Sequence, residues 1–279
     1  MIKKAVITAG GLGTRFLPFT KAIPKEMLPV MNKPAIHVIV DMLGQCGVEE
    51  VLIIINRHKK VIIDYFNRHE PWERQLQEKN ALLLEQYQRD FYGLPIINFE
   101  MQHQPSGLAD ALLHGERFTG DEPFLVILGD VIIEEGVSHL VRLIKAYSET
   151  LSPVIGLATV ERERISCVGI AEPEDQAGCS SDVFMIRRVV EKPDPREVTS
   201  NLSILGSYIF PGLIYDLLRS SMIGRSHMKE VDLSDALNTL VERDRLFGVM
   251  HHGAIYDIGT PQTWFRLNEA LFTGKIKLA

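Results

Sequence analysis

Short apolar runs alternate with segments of helical spacing through the first half of the chain, over residues 5–8, 35–44, 51–55, 61–66, 96–99, 108–114 and 124–128. That rhythm predicts a mostly parallel sheet wrapped by helices. Between residues 70 and 90, Trp72, Leu76, Leu82, Leu83 and Tyr87 recur near helical spacing among many charges, which predicts an amphipathic helix or helix pair inserted at the surface. From about Pro153 strands follow one another more closely, at 154–160, 168–171, 183–190 and 204–210, as expected of an antiparallel or mixed extension of the sheet. Helices return at 213–218 and 233–240, a strand is expected at 246–250, and a last helix starts after Pro261. No repeat, low-complexity tract or linker interrupts the pattern, so a single domain over residues 1–279 is expected, with halves at about 1–150 and 151–279.

Hydrophobic residues make up 46% of the 279 positions and charged residues 24%, the balance of a globular protein that can bury a full core without disulfide or metal staples. The net charge of −6 argues against a nucleic-acid surface, but not against a small anion held by a few groups and backbone N–H donors. Cys46, Cys167 and Cys179 lack CxxC or Cys/His spacing, so neither a disulfide framework nor a zinc site is expected. No stretch reaches the roughly 18 to 20 apolar residues of a membrane span, and the N-terminus runs directly into a strand. A soluble, cytoplasmic protein without membrane or nucleic-acid partners is expected.

The first strand runs into Ala9-Gly10-Gly11-Leu12-Gly13-Thr14-Arg15, where glycines permit positive φ and close backbone approach, so that successive N–H groups can point at phosphate oxygens. The loop is not a dinucleotide fingerprint, because Phe16 stands where a third glycine is required, and Walker spacing is absent. Three glycines alone would read equally as a turn from strand to helix. The long connection that follows carries Arg15, Lys21, Pro24, Lys25, Glu26 and Lys33-Pro34, with Met27 and Leu28 as apolar anchors, and connections of this length in an ordered domain are usually functional.

Gly10-Gly11-Leu12-Gly13-Thr14-Arg15-Phe16-Leu17-Pro18, Pro24-Lys25-Glu26-Met27-Leu28-Pro29 and Lys33-Pro34 together resemble the signature of bacterial UTP–glucose-1-phosphate uridylyltransferases and their sugar nucleotidyltransferase relatives. The resemblance extends over nearly the whole chain. It implies a Rossmann-like α/β fold, a mostly parallel mixed sheet flanked by helices with a smaller antiparallel extension on the sugar side. It further implies UTP and glucose 1-phosphate as substrates, Mg2+ as cofactor, and a homo-oligomer.

Asp130 ends the apolar run 124–128 after Gly129, which puts a carboxylate at the C-terminal rim of the sheet, where open α/β sheets bind ligands. Asp257 precedes Thr260-Pro261, a good cap and first-turn pair for the last helix that leaves the aspartate unused. Two separated carboxylates suit a magnesium ion that keeps waters and takes phosphate ligands. The resemblance makes Asp130 and Asp257 its ligands, and Arg15 and Lys25 the catalytic cations. It assigns Ala9, Gly10, Gly11, Gly13, Thr14, Gln104 and Gly107 to the nucleotide. Gly169, Glu191, Lys192, Asn201 and Gly206 fall to the sugar phosphate, with ordinary strand and bulge roles open for Gly169, Asn201 and Gly206.

The segment Gln104-Pro105-Ser106-Gly107-Leu108-Ala109-Asp110-Ala111 matches the base-reading loop but leans towards thymidylyl relatives, so UTP and dTTP both stay open, as do other hexose or heptose phosphates and a silent sugar-nucleotide sensor. His251-His252 has no third ligand at metal spacing and reads as a core or surface pair.

Overall fold

The chain begins with β1 (Lys4–Ala9), passes through the glycine loop and three single 3-10 turns, and makes a small hairpin of β2 (Pro29–Val30) and β3 (Lys33–Pro34) before α1 (Ala35–Gln45). This computed structural model describes residues 2–104, 106–174, 182–222 and 233–278; Pro105 and Cys179 lie outside them. Next come β4 (Glu50–Ile55), α2 (Lys60–Phe66), the inserted pair α3 (Glu70–Lys79) and α4 (Ala81–Arg89), β5 (Ile96–Met101), α5 (Leu108–Leu113), α6 (Glu116–Thr119) and β6 (Phe124–Leu128). The middle holds β7 (Val131–Ile133), α7 (Gly136–Thr150), β8 (Val154–Thr159), β9 (Gly169–Pro173), β10 (Val183–Glu191) and β11 (Leu202–Phe210). Then follow α8 (Ile214–Met222), α9 (Ser234–Asp244), β12 (Leu246–Met250), β13 (Ile255–Asp257) and α10 (Pro261–Phe272).

Among the described residues nine strands form one sheet in the order β5-β4-β1-β6-β11-β8-β12-β10-β9. The first four are mutually parallel, and β11 joins β6 antiparallel to carry the sheet into the extension. There β9 pairs with β10 and also returns to Leu202 and Ser203 of β11. The parallel part and the antiparallel extension are therefore continuous.

Both faces of the parallel part are covered. Val6, Leu52 and Ile54 pack with Leu112, Ile214 and Leu237 on one side, while Ile7, Ile53 and Ile55 pack with Ile39, Leu43 and Leu140 on the other. Burial on both faces is what makes these strands read as continuous apolar runs. Within the inserted pair Trp72 meets Tyr87 edge-to-face with centroids 5.0 Å apart, and Phe91, just past α4, ties the pair to α1 through His37 at 5.2 Å. Among the described residues no helix is long and apolar enough to cross a membrane.

Candidate active site

Neighbouring parallel strands deliver polar groups from their C-terminal ends to one loop. Past β4, Asn56 donates from Nδ2 to the Gly10 carbonyl at 2.7 Å and accepts from His58 N at 2.9 Å. Past β5, Gln102 is 2% exposed and donates from Nε2 to Asp110 Oδ2 at 2.6 Å. Its Oε1 lies so close to Gly10 that a Cβ there would collide with it. Gly13 adopts φ +67°, open to glycine at little steric cost, and its carbonyl accepts from Thr20 Oγ1 at 2.8 Å. Ala9 is the buried end of β1, and Thr14 is exposed beside a small hollow of about 260 Å³.

Past β6, Asp130 accepts from Lys25 Nζ. Burial draws the Lys25 ammonium down, but the charges of Asp130 and Glu26 outweigh it and leave the pKa above the ordinary lysine value. Asp257 reaches the same place from the far end of the chain, because β13 pairs with β7 in a register that sets Asp257 opposite Val131, and Ile258 N donates to the Asp130 carbonyl at 3.0 Å. Its Oδ1 accepts from Gly259 N at 2.8 Å, and its Oδ2 faces Arg15 Nη1 at 3.4 Å. Thr260 Oγ1 caps α10 by accepting from Thr263 N at 3.2 Å, so Asp257 is left to the cleft. Among the described residues no group of three or more His, Cys, Asp and Glu side chains forms a metal cage. Two carboxylates on one cleft are a donor set for a hard cation that completes its shell with water and phosphate oxygens.

The cleft measures about 740 Å³ and is lined on the first side by Arg15, Gly107, Asp130 and Asp257. Gly169, Glu191, Lys192 and Gly206 line the other side. The β9–β10 ladder sets Gly169 directly opposite Glu191. Lys192 sits at φ +45°, a left-handed conformation that is strained for a side-chain-bearing residue, with its amine 3.1 Å from Glu191 Oε1. Gly206 takes φ +75° where the register of β11 shifts against β8. Asn201 is off this lining: it is exposed and donates from Nδ2 to the Val160 carbonyl at 3.2 Å. Gln104 is exposed and also off the lining, while Gly11 and Gly13 lie against the Lys25 side chain and Gly10 against Gln102.

Several polar residues at the site were not singled out from the sequence. Asn56 and Gln102 are single residues after apolar strands, and that position was the available signal. Lys59 is buried on Glu26, and Arg164 lines the wall that carries Glu191 and Lys192. His251 is a buried part of that wall, with Nδ1 3.4 Å from Arg142 Nη2, while exposed His252 meets Asp182 Oδ1 at 2.9 Å.

A crevice at the C-terminal strand ends, a glycine loop and facing carboxylates and cations define a site for phosphorylated ligands. The nucleotidyl transferase family model matches residues 4–274, and the chain belongs to that family. It is 38% identical over 258 residues to the UTP–glucose-1-phosphate uridylyltransferase of Bacillus subtilis strain 168, covering 92% of this chain and 87% of the relative. A UTP-bound UGPase from Acinetobacter baumannii superimposes with a TM-score of 0.88 at 30% identity, covering 97% of this chain and 93% of that one. A UDP-glucose pyrophosphorylase complexed with UDP-glucose superimposes with a TM-score of 0.84 at 31% identity, covering 98% and 100%.

Proposed function

We propose that the protein transfers the uridylyl group of UTP to glucose 1-phosphate, giving UDP-glucose and pyrophosphate. The observation that carries this reading is the meeting of Lys25 with Asp130 and of Arg15 with Asp257 on one cleft at the C-terminal edge of the sheet. Similarity to uridylyltransferases over more than nine-tenths of the chain supports the choice of UTP and glucose 1-phosphate.

In this reading the first half of the chain, about residues 1–150, holds the nucleotide and residues 151–279 serve chiefly the sugar, with Asp257 returning to the metal. Ala9, Gly10, Gly11, Gly13 and Thr14 present backbone N–H groups to the triphosphate. Gln104 and Gly107 stand on the base side, with buried Gln102 behind them. Glu191 accepts from sugar hydroxyls, Gly169 and Gly206 shape that wall, Asn201 supports it from outside through the Val160 carbonyl, and Lys192 holds the sugar phosphate. Asp130 and Asp257 would hold Mg2+, which when bound neutralises charge on the phosphates and the departing pyrophosphate. The sugar phosphate oxygen is already ionised at neutral pH, so no general base is needed for its in-line attack on the α-phosphorus. Catalysis reduces to positioning and to the charges of Arg15 and Lys25 on the triphosphate. Self-association and a cytoplasmic location belong to the same reading.

Pyrophosphate release by Lys25→Ala and Asp130→Ala tests it. Each variant should lose roughly 10²- to 10³-fold in turnover. Turnover within a few-fold of the parent in both would defeat the assignment.

A further inference from the structure

Lys25 and Glu26 are consecutive residues of one 3-10 turn, Lys25–Met27, and their side chains go to different partners. Lys25 reaches Asp130, while Glu26 turns into the protein and is 1% exposed. There both Glu26 carboxylate oxygens accept from Lys59 Nζ at 2.7 Å, and Lys59 is itself only 4% exposed, at the start of α2. Four charges therefore follow one another as Lys59, Glu26, Lys25 and Asp130, of alternating sign. Each inner member has an alternative partner beside it: Lys25 feels Glu26 as well as Asp130, and Glu26 feels Lys25 as well as Lys59.

Burial works against charge on both members of the deeper pair, raising the Glu26 pKa and lowering that of Lys59. Taking one partner from a buried pair leaves an uncompensated charge, which seeks the nearest opposite charge, whereas replacing both by apolar groups of similar volume is often close to neutral. For Glu26 without Lys59, the nearest cation is its own neighbour in the turn, Lys25.

We propose that Lys59 is a positioning residue: by occupying both oxygens of Glu26 it leaves the Lys25 ammonium on Asp130 at the edge of the cleft. The inference rests on the reading of Lys25 as the cation that meets the triphosphate. Lys59 touches no substrate in this account and acts through Glu26 alone. It differs from a merely structural pair in one consequence, that the two singly substituted proteins are slower than the protein lacking both charges.

The test compares Lys59→Met, Glu26→Gln and the double variant Glu26→Met with Lys59→Met. Each is assayed for kcat and KM with UTP, Mg2+ and glucose 1-phosphate, and a crystal structure of each identifies the partner of Lys25 Nζ. Lys59→Met should lose roughly 10²-fold in kcat, the size of effect expected from a misplaced catalytic group, with the KM for glucose 1-phosphate near that of the parent. In its crystal structure Lys25 should lie on Glu26. The double variant should return to within about threefold of the parent, with Lys25 back on Asp130. If Lys59→Met does not fold, Glu26→Gln carries the comparison: Lys59, without its carboxylate, should compete with Lys25 for Asp130, and this variant too should be slower than the double one. A single variant that keeps Lys25 on Asp130 at full kcat, or a double variant as slow as the single ones, would overturn the proposal. Were the parent to release no pyrophosphate, the functional reading would fall, while the partner of Lys25 in the variant structures would still decide the role of Lys59.

Discussion

Lys25 and Asp130, 105 positions apart in the chain, meet as an ion pair at the C-terminal edge of the sheet. The pair neutralises a cation and an anion that the proposed reaction uses separately. Asp130→Asn should therefore separate binding from turnover. With metal chelated, its affinity for UTP should equal or exceed that of the parent, because a carboxylate facing the triphosphate has gone. With Mg2+, turnover should fall roughly 10²- to 10³-fold. Calorimetric titration in a chelator alongside steady-state kinetics checks both halves, and weaker metal-free binding would contradict the account.

Gly259 lies where a side chain would intrude on two site residues. A Cβ there would come within 2.6 Å of Arg15 Nη2 and 2.7 Å of Asp257 Oδ1. Gly259→Ala should displace the Arg15–Asp257 contact and lower kcat by roughly 10- to 100-fold, since small misplacements of a reacting constellation are costly. Its thermal midpoint should stay near that of the parent, as Arg15 is exposed and free to move aside. Kinetics and melting of the same preparation test this, and unchanged kcat would remove the contact from the mechanism.

Two glutamines next to the base-side loop should behave differently. Gln102 is buried and joined to Asp110, with its oxygen against Gly10, whereas Gln104 is exposed. Gln102→Ala leaves that junction unsupported and should raise the KM for UTP more than Gln104→Ala does. The reverse order would make the exposed amide the one that matters.

Stability should fall on the acid side through His139. The ring is buried, packs edge-on against His251 with centroids 5.0 Å apart, and pairs through Nε2 with Ser207 Oγ at 2.9 Å. Burial, then the charges of His251 and Arg142, push its pKa from 6.5 down to about 3. Between those values the unfolded chain binds the proton and the folded chain does not, so stability is lost as pH falls from about 6.5 towards 3. One such group removes about 2 kcal/mol between pH 7 and pH 5. His251 is displaced the same way by burial, with Arg142 adding to it and Glu134 and Glu135 opposing. Denaturant titrations at the two pH values should show the loss in the parent and a smaller one in His139→Gln. An equal loss in both would place the acid sensitivity elsewhere.

The parts of this fold that were legible in the sequence are those with a local physical signature. Residues 51–55 announce a strand buried on both faces, Thr260-Pro261 announces a helix start, and Asp130 is marked by the apolar run before it. The glycine loop was legible because three glycines and two basic residues occupy one long connection. What was not legible depends on which strands lie side by side. Asn56 and Gln102 become partners of Gly10 because β4 lies beside β1 and β5 beside β4 in the sheet, and nothing in residues 56 or 102 states that order. Lys59 reads as one more surface lysine until the fold buries it on Glu26. The separation of Asp257 from Asp130 hid the short β7–β13 ladder that joins them.

The most direct test is pyrophosphate release by the purified protein with Mg2+, crossing UTP, dTTP, GTP, CTP and ATP against glucose 1-phosphate and other sugar 1-phosphates. The account predicts the highest kcat/KM for UTP with glucose 1-phosphate. dTTP should follow within roughly 10- to 200-fold, because one methyl group in a pocket is worth only about 1 to 3 kcal/mol. A higher kcat/KM for any other pair would contradict the assigned substrates, and no release with any pair would contradict the assigned reaction.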